Sequence, residues 1–438
     1  MNKNSSNQAQ WVYLVDGIRT PFLKARGRAN PFSAADLAVA AGRSLLIRQK
    51  FDASQLDEVI LGCVMPSPEE TNIARVAALR MGCGPGVPAQ TVQRNCASGL
   101  QAVDTAVRTI LSGQGDLILA GGVEAMSHAP LQLNASFVDW MAQWRIRRGW
   151  RSKMELMATL PRCLPRPFSV LLKGLQDPIL GLSMGQTAEH LAHRFGIKRE
   201  EMDAHAVESH RRAVLAQEAG WLKEESIVLA DHAGIIYAAD QGPRPDSSPE
   251  KLASLQPVFD RSWGKVTAGN SAQVSDGACW LLLASAEAVD RHDLHPIARV
   301  SPASWAGLAP ENMGLGPVHA MAHLLARQEL TVADVDAWEI NEAFAAQILA
   351  CRRAMADTAY CHKEMGLDTP MGEIPDNKLN IDGGAIAIGH PVGASGARIV
   401  WHLARILQRI QKRRGVASLC IGGGQGGAML VENATCAA

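Results

Sequence analysis

An α/β fold built from two similar halves, with a segment of different character between them, is what this 438-residue sequence predicts. Three observations lead there. Two stretches, Ser98 to Gly122 and Ser395 to Gly423, run through the same features: a Ser-Gly pair, an amphipathic helix pattern, a short loop, an apolar strand and a Gly-Gly pair. Strand patterns alternate with helix patterns on either side, as in a parallel or mixed sheet covered on both faces. Residues 126–255 lack that rhythm and carry prolines and basic residues instead.

The elements follow in order. Residues 11–16 read as a first strand after a polar tail expected to be disordered. Residues 33–50 read as a helix capped by Ser33, and 58–64 as a short apolar strand. From Ser98 the apolar positions 100, 103, 107, 110 and 111 have helical spacing, leading into the buried strand Gly115–Gly122. The second copy places apolar residues at 399, 403, 406, 407 and 410, leading into Gly415–Gly423. The two spans differ by about four residues, so we read an internal duplication. Residues 186–218 are strongly helical and 238–250 are loop. The halves are therefore expected at 1–125, completed by 256–286, and at 287–438, with 126–255 as an inserted loop domain over the active site.

Composition narrows the function classes. Hydrophobic residues make up 47% and charged residues 20%, an ordinary globular balance, and the formal net charge is zero. A nucleic-acid partner would leave a basic footprint, so none is expected. Nine cysteines at irregular spacing, with no CxxC pair, fit free thiols in a reducing compartment better than a disulfide framework. The polar N-terminus has no apolar core of a signal peptide, and no apolar run reaches membrane-spanning length, so a cytoplasmic location is expected.

Three segments carry candidate chemistry. Gln93-Arg94-Asn95-Cys96-Ala97-Ser98-Gly99 sits at a strand-to-helix turn. A helix N-terminus offers unpaired N–H groups and the positive end of the dipole, both of which favour thiolate at Cys96. Position alone fits a small buried core cysteine equally well. In Gly389-His390-Pro391-Val392-Gly393-Ala394-Ser395-Gly396, His390 precedes a helix and suits the role of base for a nearby thiol, although most lone loop histidines have no such role. Cys420-Ile421-Gly422-Gly423-Gly424-Gln425-Gly426-Gly427 contains a literal G-x-G-x-x-G. We reject a dinucleotide site there: Ala428–Glu432 reads as a strand rather than the required helix. The glycines instead expose backbone N–H groups, as an oxyanion hole requires. The duplication sets Cys96 and His390 at matching turns and Cys420 at the following strand end. No metal is expected, since a Cys/His/Cys set lacks the four paired ligands of structural zinc, and the order and surroundings of a papain-type cysteine are absent.

Together, Asn95-Cys96-Ala97-Ser98-Gly99, Gly389-His390-Pro391-x-Gly393-x-Ser395-Gly396 and Cys420-x-Gly422-x-Gly424-x-Gly426 resemble the three signature motifs of the thiolase family. Asn341-Glu342-Ala343-Phe344-Ala345, Gly121–Ser127, Met184-Gly185-x-Thr187-Ala188-Glu189 and Thr267-Ala268-Gly269-Asn270 with Asp276-Gly277-Ala278 match in family order across nearly the whole chain. The resemblance implies the thiolase fold: two α/β halves in a five-layer α-β-α-β-α core with a loop domain, assembled as a homodimer or homotetramer. It implies that Cys96 attacks the keto group of a 3-ketoacyl-CoA while His390 takes its proton, and that Cys420 is the general acid/base for the acetyl-CoA enolate. It further implies a water-mediated oxyanion hole at Asn341 and His390, and a second one from the backbone N–H groups of Cys96 and Gly422. CoA, acetyl-CoA and acyl-CoA are substrates, and no cofactor is implied.

Two departures bear on substrate. Asn270-Ser271-Ala272 replaces the Asn-Ala-Ser of short-chain biosynthetic members, displacing the serine near the CoA tail. Ser183-Met184-Gly185 replaces His-Met-Gly, whose histidine shapes a tight acetoacetyl pocket. Met184, Ser271 and Ala272 are the substrate-binding candidates. In these respects the chain is more similar to the thiolase subunit of fatty-acid oxidation complexes, which points to degradation of broader or longer 3-ketoacyl chains and allows a hydratase/dehydrogenase partner subunit. The alternatives are a short-chain acetoacetyl-CoA-forming acetyltransferase, a decarboxylating condensing enzyme, against which Cys420 argues, and a non-catalytic thiolase-like subunit. Residues 128–180 mix Trp140, Trp144 and Trp150 with Arg145, Arg147, Arg148 and Arg151. A packed cap with solvated arginines is favoured there over membrane-surface contact.

Overall fold

The computed structural model describes residues 11–160 and 167–436; the tail expected to be disordered lies outside them. Eleven strands form one sheet: β1 (Val12–Arg19), β2 (Leu23–Lys24), β3 (Glu58–Gly62), β4 (Ala89–Val92), β5 (Leu117–Ala125), β6 (Ser275–Ala284), β7 (Ala298–Val300), β8 (Ser304–Gly307), β9 (Ala337–Ile340), β10 (Arg414–Ile421) and β11 (Gln425–Asn433). The main helices are α1 (Ala34–Ile47), α2 (Ile73–Met81), α3 (Ser98–Leu111), α4 (Ala135–Ile146), α5 (Trp150–Ala158), α6 (Met184–Arg194), α7 (Arg199–Glu218), α8 (Gly316–Arg327), α9 (Ala345–Ala356) and α10 (Ser395–Ile410). Residues Ala129–Gln176 pack as one compact unit and the remainder as another.

The duplication is visible in the pairing. The sheet runs β9-β10-β11-β7-β1-β6-β5-β3-β4, with β8 on β11 and β2 on β6. From β1 outward the pairings are antiparallel to β6, antiparallel to β5 and parallel to β3. From β7 outward they are antiparallel to β11, antiparallel to β10 and parallel to β9. The copies join where Val12–Leu14 pairs with Ala298–Val300.

Period-two alternation then assigns each strand face to a core. On β6, Ala278, Trp280 and Leu282 pack with α1 and α2, while Cys279, Leu281 and Leu283 pack with α3 and α10. On β10, Ala417, Leu419 and Ile421 face that same α3/α10 core, while Val416 and Cys420 face the core holding α8 and α9. Three apolar cores separated by two half-sheets give the five layers, and α3 and α10 form the shared central one. Buried along Ser395–Ala404, α10 also carries Arg398 and His402, each paired: Arg398 with Glu339 at 3.1 Å and His402 with Glu225 at 2.7 Å.

Local chemistry explains most boundaries. The expected Ser33 cap is a full capping box: Ser33 Oγ accepts from Asp36 N–H at 3.2 Å and Asp36 accepts from Ser33 N–H at 3.1 Å. The stretch expected as one helical run at 186–218 is two helices, α6 and α7. Gly196 between them takes a left-handed φ of 61°, which ends the first.

The separate unit is shorter than the 126–255 segment read from composition, and residues 177–255 pack with the main unit. Within Ala129–Gln176, α4 and α5 make a helical hairpin. Trp140 stacks on Phe137 and Trp144 at ring separations of 5.9 and 5.5 Å, and its indole N–H donates to Leu156 O at 3.0 Å. A two-residue antiparallel pairing, Leu131–Gln132 with Phe168–Ser169, closes its base.

Candidate active site

Cys96 stands on a sharp turn between β4 and α3. Asn95 takes a left-handed φ of 44°, a conformation asparagine tolerates better than most residues. The Ser98 hydroxyl braces the turn, accepting from Arg94 N–H at 2.9 Å and donating to Asn95 O at 2.7 Å. The result is a strand–turn–helix elbow that presents Cys96 ahead of α3, partly exposed.

Glycines let the starts of the two central helices touch. A Cβ on Gly99 would lie 2.7 Å from Gly393 O and 2.8 Å from Ala397 N, and one on Gly396 would lie 2.4 Å from Leu100 N. All these neighbours are backbone atoms, so no larger side chain fits without moving a helix. This contact brings the Cys96 turn to the His390 turn.

His390 is buried, and its Nδ1 lies 2.6 Å from Ser395 Oγ. The Ser395 hydroxyl donates to Pro391 O at 3.0 Å, which leaves it to accept from Nδ1–H. With Nδ1 assigned as the donor, Nε2 carries a lone pair, and it is buried with no hydrogen-bond partner in the protein. Burial, reinforced by Arg398, pushes the imidazole pKa down to about 4, so the ring is neutral near pH 7. Asn341 follows β9, its Nδ2 3.5 Å from His390 Nδ1 and its Oδ1 unpartnered. The next residue, Glu342, anchors this segment. Its carboxylate accepts from Ser209 Oγ at 2.7 Å and Asn380 Nδ2 at 3.1 Å, with His205 Nε2 at 3.1 Å.

Cys420 ends β10. The hairpin to β11 turns through Gly423 and Gly424 at φ of 91° and 78°. Burial, then the neighbouring Cys96, pushes the Cys420 thiol pKa well up, so it holds its proton. Gly422 is tied to the elbow by Asn95 Nδ2, which donates to Gly422 O at 2.9 Å. The Gly422 N–H bonds toward Cys96 and favours its thiolate, as does the N–H of Cys96 itself. Here the structure corrects an expectation. The helix end was expected to leave Cys96 with a lowered pKa, but burial outweighs those N–H groups and the thiol pKa is raised. A thiol with a raised pKa needs a base to become thiolate.

Met184 borders this pocket: a Cβ on Gly422 would lie 3.3 Å from its sulfur. The Ser271 hydroxyl turns inward to donate to Thr267 O at 2.7 Å, and Ala272 N–H donates to Ala343 O at 3.0 Å. A groove of about 130 Å³ runs alongside, lined by Arg244, Ser247, Lys251, Gly269, Gln273 and His210. Of its lining residues, Gln273 touches the site, its carbonyl accepting from His390 N–H at 3.1 Å. Among the described residues, no group of three or more His, Cys, Asp or Glu side chains is placed to hold a metal ion. Ser395 lies in the same motif as His390, whereas Arg398 and Asn380 are not legible as supports, because their places beside His390 and Glu342 are set only by the fold.

The thiolase N-terminal domain profile matches residues 12–287 and the thiolase C-terminal domain profile matches 294–433. The chain is 39% identical over 429 residues to the beta-ketoadipyl-CoA thiolase of Pseudomonas aeruginosa, covering 96% of this chain and 98% of the relative. It is 38% identical over 432 residues to the 3-oxoadipyl-CoA/3-oxo-5,6-dehydrosuberyl-CoA thiolase of Escherichia coli, covering 96% and 99%. Human mitochondrial 3-ketoacyl-CoA thiolase, solved also in complex with CoA, superposes with a TM-score of 0.84 at 34% identity. That likeness covers 97% of this chain and 99% of the human one. With both domain profiles, full-length relatives and a full-length structural match in agreement, the chain belongs to the thiolase family.

Proposed function

We propose that this acyltransferase works as a degradative thiolase on 3-ketoacyl-CoA substrates longer than acetoacetyl-CoA, with Cys96 as the nucleophile. The observation that carries the reading is the neutral, tautomer-fixed His390, whose buried Nε2 has no partner in the protein.

The steps balance as follows. The Cys96 thiol passes its proton to Nε2 of His390 as Sγ bonds to the keto carbon. The bond between that carbon and the α-carbon breaks, leaving an acyl-Cys96 thioester and the enolate of acetyl-CoA. Cys420, kept protonated by burial, gives its proton to the enolate carbon. The thiol of free CoA then attacks the acyl-Cys96 carbonyl, and its proton returns to Cys420 while Cys96 leaves as thiolate and takes its own proton back from Nε2 of His390. Backbone N–H groups of Cys96 and Gly422 are assigned to one oxyanion, and Asn341 with His390 to the other, the asparagine through a held water. Arg244 and Lys251 in the adjoining groove suit the phosphates of CoA.

The longer-chain reading rests on Ser183, which caps α6 by accepting from Gln186 N–H at 3.3 Å in place of a pocket-narrowing histidine. The relatives' names add a second, narrower reading: beta-ketoadipyl-CoA as substrate. We also propose a homodimer or homotetramer, which light scattering reads directly. Among the described residues no helix is long and apolar enough to cross a membrane.

The deciding assay is CoA-dependent cleavage of acetoacetyl-CoA, beta-ketoadipyl-CoA and a long-chain 3-ketoacyl-CoA, with Cys96→Ala as control. Cleavage of the long substrate, lost in the variant, supports the proposal. Preference for the dicarboxylic substrate selects the second reading, and cleavage of acetoacetyl-CoA alone rejects both. No Cys96-dependent cleavage of any of them overturns the assignment of the site.

A further inference from the structure

The Ala129–Gln176 unit carries charge that the rest of the chain balances. It holds eight Lys and Arg against two Asp and Glu, a net +6 within a chain of formal net charge zero. Its three tryptophans do not share one face. Trp140 and Trp144 are half-buried and stack on each other, and Trp144 also meets Lys153 Nζ at 5.2 Å from the ring centroid. Trp150 instead stands out at the hairpin tip, 72% exposed, beside Ile146 at 77% and followed one turn later by Met154 at 60%. Exposed Arg145, Arg148 and Arg151 flank these apolar groups. The tip is preset. Arg147 Nη1 donates to Ser152 O at 2.9 Å, Ser152 Oγ donates to Arg148 O at 2.8 Å, and Gly149 turns the chain at a φ of 86°.

Large apolar side chains at a rigid tip cost free energy in water and recover it where one side is apolar. Tryptophan and isoleucine ringed by arginines match the boundary of an anionic bilayer, with the rings at the acyl edge and the guanidinium groups among the phosphates. An acidic protein surface would satisfy the arginines but needs a pocket for Trp150, so the lipid surface meets both features with fewer demands. We propose that the Ile146–Arg151 tip docks the protein on an anionic lipid surface.

The test is sedimentation of the full chain with phosphatidylcholine vesicles, with and without phosphatidylserine, using thiolysis as the check that each variant is folded. Binding is expected only with phosphatidylserine. It is expected to fall away at about 0.5 M salt, where the Debye length shrinks to roughly 4 Å. Each arginine near such a surface is worth about fivefold in affinity, so R148E/R151E should weaken binding by roughly 25-fold or more. Trp150→Ser should weaken it by roughly tenfold or more through lost burial. The proposal is overturned if anionic vesicles fail to sediment the protein at low salt, or if both variants bind as the parent does. It is also overturned if only an acidic polypeptide such as polyglutamate shows tip-dependent binding.

Discussion

Replacing Ser395 with alanine isolates the feature on which the proposed chemistry depends. In the native site Nδ1–H of His390 has its acceptor 2.6 Å away, while Asn341 Nδ2, at 3.5 Å from Nδ1, is itself a donor. Without the hydroxyl, the buried Nδ1–H is unsatisfied, at a cost of about 1–3 kcal/mol. With the proton on Nε2 instead, Nδ1 could accept from Asn341 Nδ2, 3.5 Å away, and Nε2 could no longer accept from Cys96. The fraction of enzyme with a basic Nε2 should therefore fall about 5- to 150-fold, and kcat with it. The assay is steady-state thiolysis paired with the alkylation rate of Cys96 by iodoacetamide at fixed pH. Both should slow together while the KM for CoA holds, because no CoA contact is touched. A purely structural role would appear as lost thermal stability with kcat retained in the folded fraction. Wild-type kcat in a folded Ser395→Ala protein would refute the tautomer argument.

Three further outcomes are expected. Gly99→Ala puts a Cβ 2.7 Å from Gly393 O, and moving the α10 start to fit it should cost about 1–3 kcal/mol in urea unfolding. The same change should lower kcat by roughly a hundredfold by parting the Cys96 and His390 turns. Arg244→Ala with Lys251→Ala should raise the KM for CoA by about tenfold with kcat unchanged, the signature of lost uniform binding. Finally, the proposed mechanism uses His390 as a neutral base, and its pKa is held at about 4, below the ordinary 6.5 of histidine. The acid limb of kcat/KM should therefore fall near pH 4, with little loss between pH 7 and about 5. A half-point near 6.5 would show an imidazole exposed to water.

How much of the site was legible in the sequence depends on what each feature rests on. The elbow around Cys96, the His390 turn and the Cys420 hairpin were found from motifs, because each is a local solution in turn residues, glycines and chain direction. The α1 cap at Ser33 was readable for the same reason. Other readings failed where distant atoms decide. The insert reads as a packed cap, yet Trp150 stands 72% exposed, because sequence spacing says nothing of which face a second helix will cover. The segment 126–255 looked uniform in composition, yet only Ala129–Gln176 packs apart. The break between α6 and α7 turns on the one left-handed glycine at 196, which helical composition on both sides masked.

The sequence by itself carried the motifs that resemble the family, the duplicated α/β architecture and the three candidate side chains, because these lie in periodic patterns and in residues that are neighbours in the chain. Only the tertiary structure decided their protonation states. Burial is a sum over all the segments that close around a group, and charge effects come from partners far away in sequence. Arg19, for example, finds Glu225 at 2.7 Å across 206 residues. In the same way, burial overrode the helix end at Cys96, and Arg398, together with burial, held His390 neutral. A short run of sequence fixes which atoms can react. The dielectric and the charges around them, which set how readily they do so, exist only once the layers have closed.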